Sequence, residues 1–74
     1  MDDKRINDKL RQVGSTLRSI RMDKDWTLED TEEHGWHDWK YLQKIESGRN
    51  ITLATLFKIS DFYKISLSQI FKDL

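Results

Sequence analysis

Residues 42–56 read LQKIESGRNITLATL, and this stretch decides how the chain is expected to fold. Leu42 and Ile45 are three positions apart, which is the spacing of neighbours on one face of a helix. Gly48 then ends that helix, and after a short polar loop Thr52 caps the next one. The stretch therefore predicts two helices joined by a tight connection.

Apolar residues before this stretch predict a long N-terminal helix, from about residue 3 to residue 23. They recur three and four positions apart, at Ile6, Leu10, Val13, Leu17 and Ile20. This stripe is expected to pack in the core. Gly14 interrupts the helix at a cost of about 1 kcal/mol relative to Ala, which suggests the close approach of another helix.

Two shorter helices are predicted between the first helix and the loop after Ile45. Thr27 and Asp30 have the spacing of a capping box and predict helix two, 27–34. Gly35 ends it, because glycine readily adopts the left-handed conformation found after helices. Asp38 then caps helix three, 38–47.

The C-terminal part completes an all-helical pattern. Helix four begins after Thr52, and Ser66 with Gln69 forms a capping box that opens a short fifth helix. No strand pattern, linker or internal repeat interrupts this order. We therefore expect residues 1–74 to form one domain with an all-α fold, a compact five-helix bundle.

Composition excludes several classes of protein. The chain has no cysteine, which excludes disulfides and thiolate metal sites, and no apolar run approaches the roughly 18 residues that cross a membrane. His34 and His37 flank a predicted turn without the spacing of a known zinc motif. No catalytic constellation is apparent. We expect no metal, no cofactor, no membrane association and no enzymatic activity.

Charge is balanced in total but unevenly distributed. Thirteen basic and thirteen acidic residues cancel, whereas a DNA-binding domain usually has a basic excess. Residues 27–38 carry five acidic groups and no Lys or Arg, while residues 39–50 carry three basic groups and one acidic group. Helix three is therefore locally positive, which is compatible with DNA binding but predicts weak non-specific affinity.

The sequence IESGR at 45–49, followed by N-x-T-L-x-T-L at 50–56, resembles the end of the recognition helix and the next helix in repressors of the Cro and lambda-repressor type, the XRE family. The resemblance implies a lambda-repressor-like fold whose helix-turn-helix spans about 27–47. It also implies a sequence-specific, DNA-binding transcriptional regulator, acting as a repressor, whose helix 38–47 enters the major groove.

The resemblance also assigns roles to individual residues. It places base-reading side chains at Trp39, Lys40, Tyr41 and Lys44, with Gln43 flanking them. It places phosphate contacts at Thr27, Arg49, Asn50 and Thr52. It implies a buried structural ion pair between Arg21 and Glu46. Two alternatives stay open, since Trp39 has the spacing of a core-edge residue and Asn50 suits a turn without any ligand.

Helix two departs from the family pattern. Thr31 or Glu32 stands where such repressors usually have a small alanine. The turn glycine comes one position early, at Gly35, so Trp36 occupies the place expected for glycine. We therefore expect Trp36 to fill the space between helices two and three.

Partners follow from the same resemblance. Such regulators bind palindromic operators in double-stranded DNA as homodimers, with recognition helices about 34 Å apart, in the bacterial or phage-infected cytoplasm and on the nucleoid. Helix five, Phe71 and Leu74 are candidate dimer contacts, and core packing is the alternative for Phe71. Neutral charge, the acidic helix two and three tryptophans also suit a protein-interaction module, such as an antitoxin or anti-repressor with weak or lost DNA binding.

Overall fold

The computed structural model describes residues 3–74, and these residues form five α-helices. The helices are α1 (Asp3–Asp23), α2 (Asp30–Glu33), α3 (Trp39–Glu46), α4 (Leu53–Tyr63) and α5 (Leu67–Phe71). No strand occurs in this part of the chain. The predicted all-α, five-helix fold is confirmed. None of the helices described here is long and apolar enough to cross a membrane.

A single apolar core holds the helices together. It takes one or more side chains from α1, α3, α4 and α5, and one from the turn between α2 and α3. The buried members are Leu17, Trp36, Leu42, Ile45, Leu56, Ile59, Tyr63 and Ile70. Because each helix buries only one side, the opposite sides of α1, α3 and α4 remain available for contacts with other molecules.

The first part of α1 extends beyond this core. Leu17 is fully buried, and Val13 and Ile20 pack against the core, but Ile6 is 37% exposed and residues 3–9 are all exposed. The expectation that the whole apolar stripe packs in the core is therefore wrong at its N-terminal end. A helix of this length spans about 30 Å, which exceeds the width of the small core that it crosses.

Three helix starts have the predicted caps. The Asp38 carboxylate accepts hydrogen bonds from the backbone N–H groups of Lys40 and Tyr41 at 3.1 and 3.3 Å. Thr52 Oγ1 accepts from the Thr55 N–H at 3.1 Å. Ser66 and Gln69 form the full reciprocal capping box. Each cap satisfies backbone donors that the first turn of a helix leaves unpaired.

Helix two is shorter than predicted. Thr27 and Asp30 exchange the expected hydrogen bonds, at 2.8 and 3.1 Å, but the α-helix itself covers only Asp30–Glu33. The N–H groups of Thr31 and Glu32 donate to carbonyls three residues earlier, so the first turn is tighter than an α-helix. The prediction of 27–34 was right about the cap and wrong about the extent.

Gly14 marks the predicted close approach between helices. A Cβ atom at this position would lie 2.6 Å from the carbonyl oxygens of both Ile45 and Glu46. These distances are far below normal van der Waals contact, so only glycine lets the α1 backbone meet the C-terminal end of α3 this closely. The contact determines where α1 crosses α3.

Candidate DNA-binding site

A buried ion pair joins α1 to the end of α3. Arg21 Nε and Nη2 donate to the two carboxylate oxygens of Glu46 at 2.8 and 2.9 Å, and Arg21 Nη1 donates to the Trp26 carbonyl at 2.6 Å. The two side chains are only 9% and 6% exposed. The structure therefore contains the ion pair that the family resemblance implied, in the bidentate geometry that arginine and carboxylate favour.

The ion pair lies in a desolvated environment. Hydrogen bonding to Glu46 raises the pKa of Arg21 above its ordinary value. The neighbouring Tyr63 is 2% exposed, and its hydroxyl has no hydrogen-bond partner. Burial, followed by the Glu46 carboxylate, raises the pKa of that hydroxyl far above its usual value. Each ion thus depends on the other for compensation in a largely apolar interior.

The turn before α3 is held by Gly35 and Trp36. Gly35 has a φ of +110°, which suits glycine, and Trp36 is 5% exposed within the core. The Trp36 indole N–H donates to the Asp38 carbonyl at 2.8 Å, directly at the start of α3. Thr31, rather than Glu32, is the buried residue of α2, and its hydroxyl donates to the Leu28 carbonyl. The early glycine therefore still allows α2 and α3 to pack through Trp36.

The outward face of α3 consists of Trp39, Lys40, Gln43 and Lys44. Lys40, Gln43 and Lys44 are exposed, and within residues 3–74 neither lysine pairs with an acidic side chain. The Lys40 ammonium lies 5.9 Å from the centre of the Trp39 ring. We call these four residues the α3 face; it presents two cations and an amide, which are groups that bind guanine and adenine edges.

The two aromatic residues of α3 behave differently from one another. Tyr41 is half-buried and packs against the core, so its ring is directed inward rather than along the α3 face. Trp39 is also half-buried, but it is not among the residues packed against the core. Its backbone N–H donates to the Glu32 carboxylate at 3.3 Å. Of the two, Trp39 is the one placed beside the exposed lysines.

The expected phosphate contacts fall into two groups. Arg49 and Asn50 are exposed, and the Arg49 backbone N–H donates to the Lys44 carbonyl at 3.1 Å, which ties their loop to α3. Thr52 and Thr27 already have internal partners. The Thr52 hydroxyl donates to Thr55 Oγ1, and the Thr27 N–H donates to the Asp30 carboxylate. Arg49 is therefore the best placed of the four for an anionic ligand.

The Asp30 carboxylate adds a negative charge where a phosphate was expected. Hydrogen bonds from the Thr27 backbone N–H, and then from its side chain, hold the pKa of Asp30 below its ordinary value of 3.8. Asp30 is therefore ionised at neutral pH. A phosphate approaching Thr27 would meet this charge, so the start of α2 is a poorer anion site than the sequence suggested.

The two histidines take part in aromatic contacts. The His34 ring stacks on Trp26 with centroids 3.9 Å apart, and the His37 ring lies 5.2 Å from that of Trp36. Across residues 3–74 no group of three His, Asp or Glu side chains is arranged to hold a metal ion. The interactions that the structure gives to these rings are a stacked contact for His34 and a tilted contact for His37.

Sequence reasoning missed three polar residues of α1 that border the α3 face. Asn7 and Arg11 line a cleft with Gln43 and Lys44, and Arg18 lines a second cleft next to it. The sequence signal that could have indicated this proximity is the pair Gly14 and Gly48, which lie where α1 crosses the end of α3. A Cβ atom on Gly48 would lie 2.8 Å from Arg11 Cγ.

Comparison with known proteins gives one family. Residues 17–70 match the model of the helix-turn-helix family, a DNA-binding and non-enzymatic family. No curated protein and no solved structure matches the chain. The matched residues cover the ion pair, the α2–α3 unit, α4 and all of α5 except Phe71. The chain therefore belongs to the helix-turn-helix family, as a DNA-binding regulator of the Cro and lambda-repressor type.

Proposed function

We propose that this chain is a sequence-specific transcriptional repressor, which occupies an operator by placing α3 in the major groove. The observation that carries the proposal is the α3 face, where Lys40, Gln43 and Lys44 are exposed and the lysines have no acidic partner in residues 3–74. An eight-residue helix fits a groove about 12 Å wide.

Rigidity supports the same proposal. Direct readout needs side chains that keep their positions before the ligand arrives, because ordering them on binding costs free energy. Asp38 caps one end of α3, and Arg21 holds Glu46 at the other end. The helix is therefore held at both ends while its outward face is free. Arg49 and Asn50 are exposed in the loop after α3, and the proposal assigns them phosphate contacts that set the orientation of α3.

We further propose that the repressor binds as a homodimer to a palindromic site, in the cytoplasm of a bacterium or of a phage-infected cell. One module of this size reads only a half-site. Two apolar residues at the C-terminal end are partly exposed, Phe71 at 38% and Leu74 at 50%, while Ile70 is buried. Burial of Phe71 and Leu74 against a second copy would remove this apolar surface from water.

The proposal is tested by selecting bound duplexes from a random DNA pool and measuring affinity for the selected duplex. Lys40→Ala and Lys44→Ala should each weaken binding by about 1–3 kcal/mol if the lysine contacts a guanine edge. Lys9→Ala, which removes an exposed cation from the far part of α1, serves as control. Equal affinity for Lys44→Ala, Lys40→Ala and the parent would remove the α3 face from the interface.

A protein-interaction module is the second candidate, favoured by exposed apolar side chains on α4. Leu53 is 63% exposed and Phe57, one turn later, is 49% exposed. Together with the acidic side chains of α2 they could contact a toxin or another regulator. DNA binding that weakens steeply with salt supports the repressor. Failure to select any duplex, with retention of a protein partner that Phe57→Ser loses, would support the second candidate.

A further inference from the structure

The crossing of α1 over α3 brings a side of α1 next to the α3 face. Gly14 touches the carbonyl groups of Ile45 and Glu46, and Gly48 lies against the Arg11 side chain. Both contacts use glycine, so the backbones approach more closely than other residues would allow. As a result, side chains one turn before and one turn after Gly14 on this side of α1 border α3 directly.

Two arginines occupy those positions. Arg11 lines a cleft with Gln43, Lys44 and Arg49, and Arg18 lines the adjacent cleft, which also includes Gln43 and Ser47. The arginines are seven positions apart, which is close to two helical turns and about 10 Å along the axis. They therefore lie on the same side of α1, and Gln43 and Ser47 belong to both clefts.

The charges along these clefts are available to a ligand. Arg18, Lys44 and Arg49 form no ion pair within residues 3–74. Arg11 pairs only with Asp8, and both side chains are more than half exposed, so this ion pair contributes little. Glu46 also lines the second cleft, but Arg21 neutralises it. The result is a positive surface that continues from α3 onto α1.

We propose that this side of α1 is a second DNA-binding element, in which Arg11 and Arg18 bind phosphates of the duplex whose bases α3 reads. The inference rests on the proposed DNA-binding function and extends it to α1, where Arg11 lies outside the family match, which begins at residue 17, and Arg18 lies just inside it. Arginine with neighbouring amide and hydroxyl groups is the usual composition of a phosphate-binding surface. Because these contacts reach no base, they add affinity without sequence preference.

Arg11→Met and Arg18→Met test the proposal, since methionine keeps the apolar stem that packs near Gly48. The matched control is Lys9→Met, which removes a cation from the opposite side of α1, at 100° per residue roughly 160° from Arg11 and 180° from Arg18. Affinity is measured over a range of salt concentrations, on a duplex selected by the parent protein and on a scrambled duplex of the same length. Circular dichroism checks that each variant is folded.

Each arginine variant should lower the slope of log affinity against log salt by roughly one, and should weaken both duplexes by the same factor. Asp8→Asn, which frees Arg11 and removes a negative charge, should strengthen binding to both. If the two arginine variants had the same slope of log affinity against log salt as the parent and Lys9→Met, the inference would be overturned. The proposal that α3 reads the bases would be unaffected. If the parent selects no duplex at all, the proposed function fails and this inference fails with it.

Discussion

The two sides of α3 differ in whether their charged side chains have partners within the protein. On the inner side, Glu46 has both carboxylate oxygens bound by Arg21, and the backbone of the last turn touches Gly14. On the outer side, Lys40 and Lys44 have no acidic partner in residues 3–74. The inner side of this eight-residue helix therefore makes contacts within the protein, and the outer side is available to bind a ligand.

This division has a physical reason. A helix of eight residues is not stable alone in water, because too few hydrogen bonds offset the cost of ordering its first turn. Its order must come from tertiary contacts, and the inner side supplies them. Substitutions on the inner side should therefore change stability first and binding only as a consequence, whereas those on the outer side should change binding alone.

Arg21→Met is expected to have the largest effect. It leaves the Glu46 carboxylate desolvated and unpaired, so the free energy of unfolding should fall by about 3–5 kcal/mol, as measured by urea denaturation. A loss of this size is comparable with the whole stability of a small single-core domain. Arg18→Met, on an exposed arginine of the same helix, is the control and should leave stability nearly unchanged.

The double variant Arg21→Met/Glu46→Leu separates two explanations of that loss. If the cost comes from an unpaired buried charge, removing both ions should restore much of the stability. If the bidentate geometry itself supplied the stability, the double variant would be as unstable as Arg21→Met. An Arg21→Met protein with the parent's unfolding midpoint would contradict the division between the two sides of α3.

Gly14→Ala should have the next largest effect, and its sign distinguishes packing from helix propensity. Alanine favours a helix over glycine by about 1 kcal/mol, so propensity alone predicts a more stable protein. The added Cβ would lie 2.6 Å from two backbone carbonyl oxygens, and overpacking of this kind costs about 1–3 kcal/mol. Because backbone rather than a flexible side chain must move, we expect a net loss.

The measurement is again urea denaturation, with Ser15→Ala as control, since Ser15 is exposed on the same helix. A Gly14→Ala protein more stable than the parent would show that α1 can move away from α3 without cost. In that case the crossing would not determine the position of α3, and the inner side would depend on the ion pair and on the buried side chains of Leu42 and Ile45.

Local patterns in the sequence predicted much of this arrangement. The caps at Asp38, Thr52 and Ser66 follow from side-chain chemistry within three residues, and they are confirmed. The close approach at Gly14 was also predicted, because an interruption in an amphipathic helix needs a reason. Such features are predictable because they depend on few neighbours.

Features that depend on the relative rotation and crossing of helices were predicted less well. The packing of Tyr41 against the core was not predicted, because it depends on the rotation of α3 about its axis, and its assignment to base reading stays a prediction. The proximity of Arg11 and Arg18 to Gln43 was missed, because it arises only once α1 crosses α3. The extent of α2 was wrong because its first turn takes a tighter hydrogen-bonding pattern than its cap indicates.

The smallest predicted effect concerns Asp30, which lies outside both sides of α3. Its pKa is lowered from the ordinary value of 3.8, first by the Thr27 backbone N–H and then by the Thr27 side chain. A lowered folded-state pKa means that the ionised carboxylate stabilises the protein above pH 3.8, and that this contribution disappears as the pH falls through the folded-state pKa. The parent should therefore exceed Asp30→Asn in stability near neutrality, and the difference should vanish in acid.

Carbon-detected NMR titration of the Asp30 carboxyl group measures the cause directly. In Thr27→Val the side-chain hydrogen bond is lost and the backbone N–H remains, so the midpoint should rise and still lie below 3.8. A midpoint unchanged by Thr27→Val would assign the whole shift to the backbone N–H. A stability difference between parent and Asp30→Asn that stayed constant from about pH 6 to about pH 2 would mean that the charge of Asp30 contributes nothing to the fold.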